Sequence, residues 1–569
     1  MRFGPAGFSH PASPYIALSV LAFIGYGVHV YGMVLFDDDL VGRFRGISNP
    51  SAIEAATNNF VQWSMGRPLG HASNVTFQTI FSEFPEWSIL AFASIVLTLQ
   101  SFVVYLIGRE AKLGRAASFF GAAVYLTTPA AISLHLPVHS LATEWSTWFI
   151  LAASLLALRK HFFLSGAIAA LQVNVYEIYM TVFFIPYFIA IIPPIVAWRF
   201  DLLDLAKKFG LYVTGFFSVF IVFMFIRVLK NAAGRASMLD GATPVELVGR
   251  MVSAGWIGTG TLADMHLGAF DWAMSYGPAY IFGFSIMLFF VALLMRPQFG
   301  DEAAEGHAVA SSVHGFYGAG VLIVAGLITI FMSYMVFFAQ RYPPDWQTSR
   351  LANIHTAARF GLFFLAAGLT WLTGFFVAKL RQRKSHIAVT AARIRLVLAA
   401  AVITVFTTYN HAYGYQQVQQ SQRVLALVSA LHSGCEASAP GDVIIVITPP
   451  GFESSRTDRV LTWGNVYLGE TKFTGWDNRV LIVRSHNRAP LLAALASSDG
   501  QISGSELVSL VDPAFSQYAW LFPRGDVARW GVIEEERIVI VDLQVERELY
   551  TVEILQAPSE SRVCHRRPS

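Results

Sequence analysis

The stretch Tyr15–Phe36, YIALSVLAFIGYGVHVYGMVLF, decides the fold, and Asp37-Asp38-Asp39 ends it. It contains no Asp, Glu, Lys or Arg, and about 20 apolar residues in a helix suffice to cross the hydrocarbon core of a bilayer. The three carboxylates therefore fall at a membrane–water boundary. Neighbouring carboxylates repel one another, and partial desolvation makes the first proton harder to lose. Two readings follow: a solvated cap at a helix end, or a general base working beside a membrane.

The rest of the chain has the same character. Of its 569 residues, 54% are hydrophobic and 14% charged, and the mean hydropathy is +0.51. Soluble proteins carry about 25% charged residues, so the chain reads as an α-helical polytopic membrane protein. A net charge of +3, with no basic stripe interleaved with aromatics, argues against a nucleic-acid partner. The N-terminus, with Arg2 and a Gly/Pro-rich lead but no small-residue cleavage site, is expected to stay on the chain.

Hydropathy gives about eleven spans: Tyr15–Phe36, Trp87–Ile107, Ala116–Leu134, Ser140–Leu158, Phe162–Asn174, Glu177–Trp198, Phe209–Val228, Met274–Met295, Phe316–Phe338, Phe360–Ala378 and Leu396–Tyr409. With the N-terminus inside, the inner loops hold Arg109, Lys112 and Arg115, then Arg159 and Lys160, then Arg199, Lys207 and Lys208. The last inner loop holds Lys379, Arg381, Arg383, Lys384, Arg393 and Arg395, and the longer outer loops carry only scattered arginines. This bias satisfies the positive-inside rule. It puts the aspartates, and everything after Tyr409, on the outer face of what is expected to be a bacterial inner membrane.

Two parts follow: a membrane domain over 1–410, with an outer loop at 37–86, and an extracytoplasmic domain over 411–569. In the outer loop Ile53, Ala56, Phe60 and Trp63 recur at helical spacing, which predicts a helix on the membrane surface. Asn231–Asp271 is expected as a second outer segment, rich in Gly and Ala. The tail turns toward charge and carries β-rich runs at Val443–Ile447, Val480–Val483, Arg537–Val541 and Tyr550–Leu555. Helical runs are predicted at Leu425–Leu431 and Leu491–Ala496, and together these make a small α/β domain. Cys435 and Cys564, the two cysteines of the chain, lie in this tail. An oxidising compartment would let them close a long loop, worth about 4–5 kcal/mol in the chain-entropy picture. Two unrelated thiols are the other reading.

Charged residues inside membrane helices are costly and usually functional. Here they gather near the outer helix ends: His135, His139 and Glu144 in one place, Glu177 at the next outer turn, and Arg341, Arg350, His355 and Arg359 before the tenth span. With the aspartates they form one outer-facing ring. In the outer loop, Met65-Gly66-Arg67-Pro68-Leu69-Gly70-His71 sets an Arg beside a fixed Pro backbone, with glycines that allow close approach. Such an Arg can hold a phosphate through a bidentate fork or simply anchor a lipid headgroup. His71 can assist a phosphate, tune a carboxylate, or be an ordinary interfacial side chain. Walker, dinucleotide-binding, H-E-x-x-H and C-x-x-C motifs are all absent, so the sequence offers no support for ATP hydrolysis, nicotinamide chemistry or zinc hydrolysis.

A first span ending in paired aspartates, followed by an outer loop with Gly-Arg-Pro-Leu, resembles the GT-C superfamily of membrane glycosyltransferases. Within it, the chain is most similar to the bacterial O-antigen glucosyltransferases of the serotype-conversion type. Val175-Tyr176-Glu177-Ile178-Tyr179 looks like their mid-chain aromatic motif, with Glu where they often carry Gln, and a third aspartate departs from their pair. The resemblance covers roughly the first 410 residues. It implies a GT-C-like fold and an inverting transfer of a sugar from a polyprenyl-phosphate donor to a glycan or lipid-linked acceptor of the cell envelope, such as lipopolysaccharide. It implies that Asp37, Asp38 or Asp39 is the base and that Arg67, His71, Arg350 and Arg359 hold the donor phosphate. Glu177, Tyr176, His139, Glu144 and His355 would line the substrate site. No cofactor is required, although three carboxylates can bind a divalent ion. Two other functions stand beside this one. A lipid or polysaccharide transporter would need midplane polar residues and pseudo-symmetric halves. A non-catalytic glycan-binding envelope protein would not need the aspartates.

Overall fold

The computed structural model describes residues 11–32, 51–62, 68–81, 84–131, 137–196, 201–229, 243–274, 277–300, 313–339, 344, 354–383, 385–438, 442–449, 479–497, 501–504, 506–507, 532–546 and 549–556. It is mostly helical, with a small C-terminal sheet. Chain contacts divide it into two units. One gathers the described residues of 1–30, 53–76 and 88–414, the other those of 31–52, 77–87 and 415–569.

Along the chain the helices are α1 Ser13–Ala22, α2 Ala52–Gln62, α3 Pro68–Phe81, α4 Glu86–Glu110, α5 Arg115–Thr127, α6 Pro137–Leu158 and α7 Phe162–Leu171. They continue with α8 Ile185–Val196, α9 Leu202–Leu229, α10 Pro244–Met274, α11 Gly277–Gly300, α12 Val313–Met335, α13 Ala358–Arg383 and α14 Ser385–Glu436. Among the described residues, six helical stretches are long and apolar enough to cross a membrane: Trp87–Glu110, Ile178–Ile195, Leu202–Leu229, Phe316–Phe338, Ala358–Leu380 and Val389–Arg423.

The chain is thus a helical protein of membrane character, with six such helices against the roughly eleven spans expected. The difference lies in continuity. Four apolar stretches, Ser13–Gly27, Thr143–Leu158, Phe162–Asn174 and Gly283–Arg296, are shorter. α1 passes into a π-turn at Phe23–Gly27 and a 3₁₀ turn at Val30–Gly32. α5 is 13 residues long. A hydropathy window counts apolar residues and does not register such breaks.

Close crossings hold the bundle. α5 is buried from Ala116 to Thr127, as expected of a helix that is apolar on every side. A Cβ on Gly166 of α7 would overlap the Tyr212 carbonyl, and one on Gly215 of α9 would overlap the Phe163 carbonyl, so these two helices meet backbone to backbone. Gly326 of α12 and Gly361 of α13 meet in the same way. Small residues at such crossings are how membrane helices gain dispersion contact. The Asn231–Asp271 stretch, expected as an outer segment, carries the 31-residue helix α10. Its Gly255 and Gly258 lie against the rings of Phe331 and Tyr334, and Ala269 packs on Val405. The Gly/Ala content that suggested a loop is a packing face.

In the second unit the expected strands appear as β1 Val443–Thr448, β2 Arg479–Arg484, β5 Ile538–Glu546 and β6 Leu549–Gln556. The sheet order is β2-β1-β5-β6; β1 runs parallel to both neighbours and β6 closes antiparallel to β5. β3 Gln501–Ser503 pairs with β4 Val532–Glu534. β1 is buried along its whole length, as a central parallel strand should be. The predicted helix at Leu491–Ala496 is α15, Arg488–Ser497, whereas Leu425–Leu431 is the continuation of α14. Gly434 of that helix rests on Ile444 and Val541.

Candidate functional site

The site grows from a break in the helical chain. After α7, Gln172–Asn174 and Glu177–Val182 form 3₁₀ turns, with Tyr176 extended between them. Non-helical backbone inside a membrane bundle persists where protein or a cavity satisfies it. Ser146 of α6 donates to the Tyr176 carbonyl at 3.2 Å, and Thr147 shares a 2.7 Å hydrogen bond with the Tyr179 hydroxyl. Other groups at the break stay open. The Gln172 side-chain amide, through both its atoms, and Asn174 Nδ2 are buried with no hydrogen-bond partner among the described residues. A buried amide left without partners costs about 1–3 kcal/mol, which a hydroxyl-bearing ligand would relieve.

The helix α3 comes to the same place. Pro68 starts α3, where its fixed φ suits the first helical turn. Two residues on, a Cβ at Gly70 would overlap the Val175 carbonyl oxygen. The close approach expected of the glycines is therefore realised at Gly70. Gly70 in the first turns of α3 and Val175, read separately in the sequence, lie backbone to backbone.

Beside the break, α6 and α13 contribute a buried ion pair. Arg359 Nη2 donates to both carboxylate oxygens of Glu144, at 2.6 and 2.8 Å. The two side chains are 0% and 1% exposed. Arg359 also lies over the Tyr125 ring, 4.6 Å from its centroid, and its Nε donates to the Thr356 carbonyl at 3.3 Å. Tyr125 donates to Gln100 Oε1 at 3.2 Å, and Gln100 Nε2 donates to the Glu144 carbonyl at 3.1 Å. One residue away in the chain from Thr356, His355 is fully buried, with Nδ1 2.6 Å from the Tyr334 hydroxyl. A charge in a low-dielectric interior needs a partner of this kind.

The expected residues fare differently. Glu144, Arg359 and His355 are placed, all buried. Arg359, expected at the donor phosphate, has its guanidinium turned to Glu144 and Tyr125. Tyr176 lies at the break, with its carbonyl held. For His71, His139, Glu177 and Cys435 the backbone alone is described, in α3, α6, the Glu177–Val182 turn and α14. Asp37, Asp38, Asp39, Arg67, Arg350 and Cys564 lie outside the described residues, and with them the Cys435–Cys564 pairing.

Sequence reasoning missed Gln100, Tyr125, Thr147 and Tyr334, single polar groups in apolar helices with no motif to mark them. It also missed the buried amides of Gln172 and Asn174, although their place just before a motif that interrupts a helix was a usable signal. No family model matches the chain, and neither does any of the curated proteins or solved structures compared with it.

Proposed function

We propose that the chain is an inverting membrane glycosyltransferase of GT-C type that moves a sugar from a polyprenyl-phosphate donor to a glycan or lipid-linked acceptor. The observation that carries this reading is the docking of Gly70 on Val175. It sets the start of α3 against the Val-Tyr-Glu-Ile-Tyr segment, next in the chain to the Gln172 amide and Asn174 Nδ2, which have no hydrogen-bond partner among the described residues. An enzyme that must hold a polar sugar against an apolar lipid needs such a polar pocket at the rim of a helical bundle.

In this reading a carboxylate of Asp37, Asp38 or Asp39 takes the proton of the acceptor hydroxyl. The acceptor oxygen forms a bond to the anomeric carbon as the bond from that carbon to the phosphate oxygen breaks on the opposite face. The polyprenyl phosphate leaves with the electron pair, and the anomeric centre inverts through an oxocarbenium-like state. Arg67, Arg350 and His71 meet the growing phosphate charge. Glu177, Tyr176, His139, Gln172 and Asn174 hold sugar hydroxyls. Arg359 and Glu144 act as positioning residues, tying α6 to α13 behind the break. The site faces the outer side of the membrane, where the loop charge bias puts the aspartates, and the tail unit selects the acceptor.

The test is sugar transfer from a labelled polyprenyl-phosphate donor by Asp37→Asn, Asp38→Asn and Asp39→Asn, each made separately in the full chain. Loss of transfer on the order of a hundredfold in at least one is expected from removal of a general base. Full transfer by all three would overturn the reading.

A further inference from the structure

A basic junction joins α13 to α14. Between residues 346 and 435 the chain contains no Asp or Glu, yet Lys379, Arg381, Arg383, Lys384, Arg393 and Arg395 crowd into one short part of it. α13 ends at Arg383 and α14 begins at Ser385. The charges therefore collect where one apolar stretch, Ala358–Leu380, gives way to the next, Val389–Arg423, each long enough to cross a membrane. Like charges repel, so such a run needs counter-charge from elsewhere. Lys and Arg near the ends of membrane helices lay their stems along apolar surface and carry their charge to the interface.

Two of these cations rest on aromatic rings. Arg395 Cζ lies 5.1 Å from the ring centroid of Phe299, near the end of α11. A Cβ on Gly374 of α13 would stand 3.4 Å from Arg395 Nη1, so α11, α13 and α14 converge on one guanidinium. Lys379 Nζ lies 5.6 Å from the Phe375 centroid. That ring packs on Phe316 of α12, with centroids 5.5 Å apart. Lys379 and Arg393 are exposed and Arg395 is half-buried. On the same two helices Phe376, Leu380, Ile394 and Leu398 are exposed as well. Leu380 follows Lys379 in the chain, and Ile394 stands between Arg393 and Arg395. Cations and bare apolar side chains thus share one junction.

We propose that this junction holds an anionic phospholipid, its phosphate met by Lys379, Arg393 and Arg395 and its acyl chains lying along the exposed side chains of α13 and α14. A guanidinium stacked on a ring keeps its planar fork for phosphate oxygens. Basic groups between membrane helices are recognised in this way by acidic head groups. A free phosphate matches the charge but not the apolar side chains, and a neutral lipid matches the apolar side chains but not the charge. Asp301, Glu302 and Glu305, which follow Phe299 in the chain, lie outside the described residues. Neutralisation by the chain itself is therefore an outcome that the experiment must separate from lipid binding. The proposal rests on the membrane character of the helices and not on sugar transfer, and it is tested without transfer.

The full chain, purified and delipidated by detergent exchange, is titrated with cardiolipin, phosphatidylcholine or inorganic pyrophosphate while its unfolding temperature is followed. Cardiolipin should raise that temperature, less so at high salt, whereas phosphatidylcholine and pyrophosphate should leave it unchanged. Lys379→Gln combined with Arg393→Gln removes two exposed charges and leaves the packed Arg395 in place, so the fold is kept. That pair should weaken the apparent affinity for cardiolipin on the order of tenfold or more. Arg159→Gln combined with Lys160→Gln removes the same charge at the exposed turn between α6 and α7 and should leave the affinity unchanged. No rise with cardiolipin would mean that the chain neutralises its own cations. An equal rise with phosphatidylcholine or with pyrophosphate would mean apolar cover or anion binding alone. Equal weakening by both variant pairs would mean unspecific charge attraction. Each of these results would overturn the proposal.

Discussion

Glu144 and Arg359, 215 positions apart, form one charge pair with neither side chain reaching solvent. Their partners Tyr125 and Gln100 come from two further helices, α5 and α4, and Thr356 from the turn that leads into α13. The pair ties α6 to α13 next to the helix break at Gln172–Val182.

Breaking that pair from one side leaves a buried charge alone. Arg359→Met or Glu144→Leu should each destabilise the chain by about 3–5 kcal/mol, whereas the double variant should be clearly milder than either single. Thermal unfolding in detergent reads the cycle. Additive losses would mean that the two side chains act independently.

Gly70→Ala should displace α3 from Val175, because the new methyl meets backbone, which cannot swing aside. If the helix break is the substrate site, sugar transfer falls at temperatures where the variant is still folded, beyond the drop in unfolding temperature that the backbone overlap brings. Gly268→Ala, where a Cβ meets nothing within 4 Å, is the control and should leave transfer unchanged.

Gly166→Ala and Gly215→Ala force apart the backbone contact between α7 and α9. Each should cost about 1–3 kcal/mol or more as an overpacked crossing. Gly210→Ala on α9 faces open space and should be neutral or slightly stabilising, since Ala favours helix. Unfolding temperatures of the three variants check the order.

Glu506 closes a reciprocal cap with Ser503. Its Oε2 accepts from the Ser503 amide at 2.9 Å and from the Ser503 hydroxyl at 2.7 Å, and Ser503 Oγ accepts from the Glu506 amide at 3.2 Å. These bonds to the ionised form hold the carboxyl below the usual glutamate range, the Ser503 backbone bond most of all. A depressed carboxylate stabilises the fold above its unfolded pKa, and that stability is lost as pH falls through the lower folded value. Hydrogen exchange of residues 501–507, corrected for its intrinsic pH dependence, should therefore lose protection in acid. In Glu506→Gln the acid dependence should vanish.

Much of the tail was legible. The runs Val443–Ile447, Val480–Val483, Arg537–Val541 and Tyr550–Leu555 each mark a strand that formed, because β-branched runs between turn-rich stretches report local preference. Leu425–Leu431 was legible as helix but not as the end of a 52-residue one. α10 was illegible for a different reason. Glycine weakens helix propensity in isolation, yet Gly255 and Gly258 are what let α10 reach Phe331 and Tyr334.

At the candidate site the sequence supplied the segments and the glycines between them. Which polar groups stay open was beyond it, since the Gln172 amide and Asn174 Nδ2 lack a partner among the described residues only through what surrounds them. Apolar content, the order of the helices and the β-rich tail are written in the chain, because hydropathy and propensity are local properties of short windows. Gly70 on Val175, Arg359 on Glu144 and His29 on His411 were decided by tertiary structure alone. Each joins residues more than a hundred positions apart, and their meeting depends on how the helices cross, which no window of sequence contains.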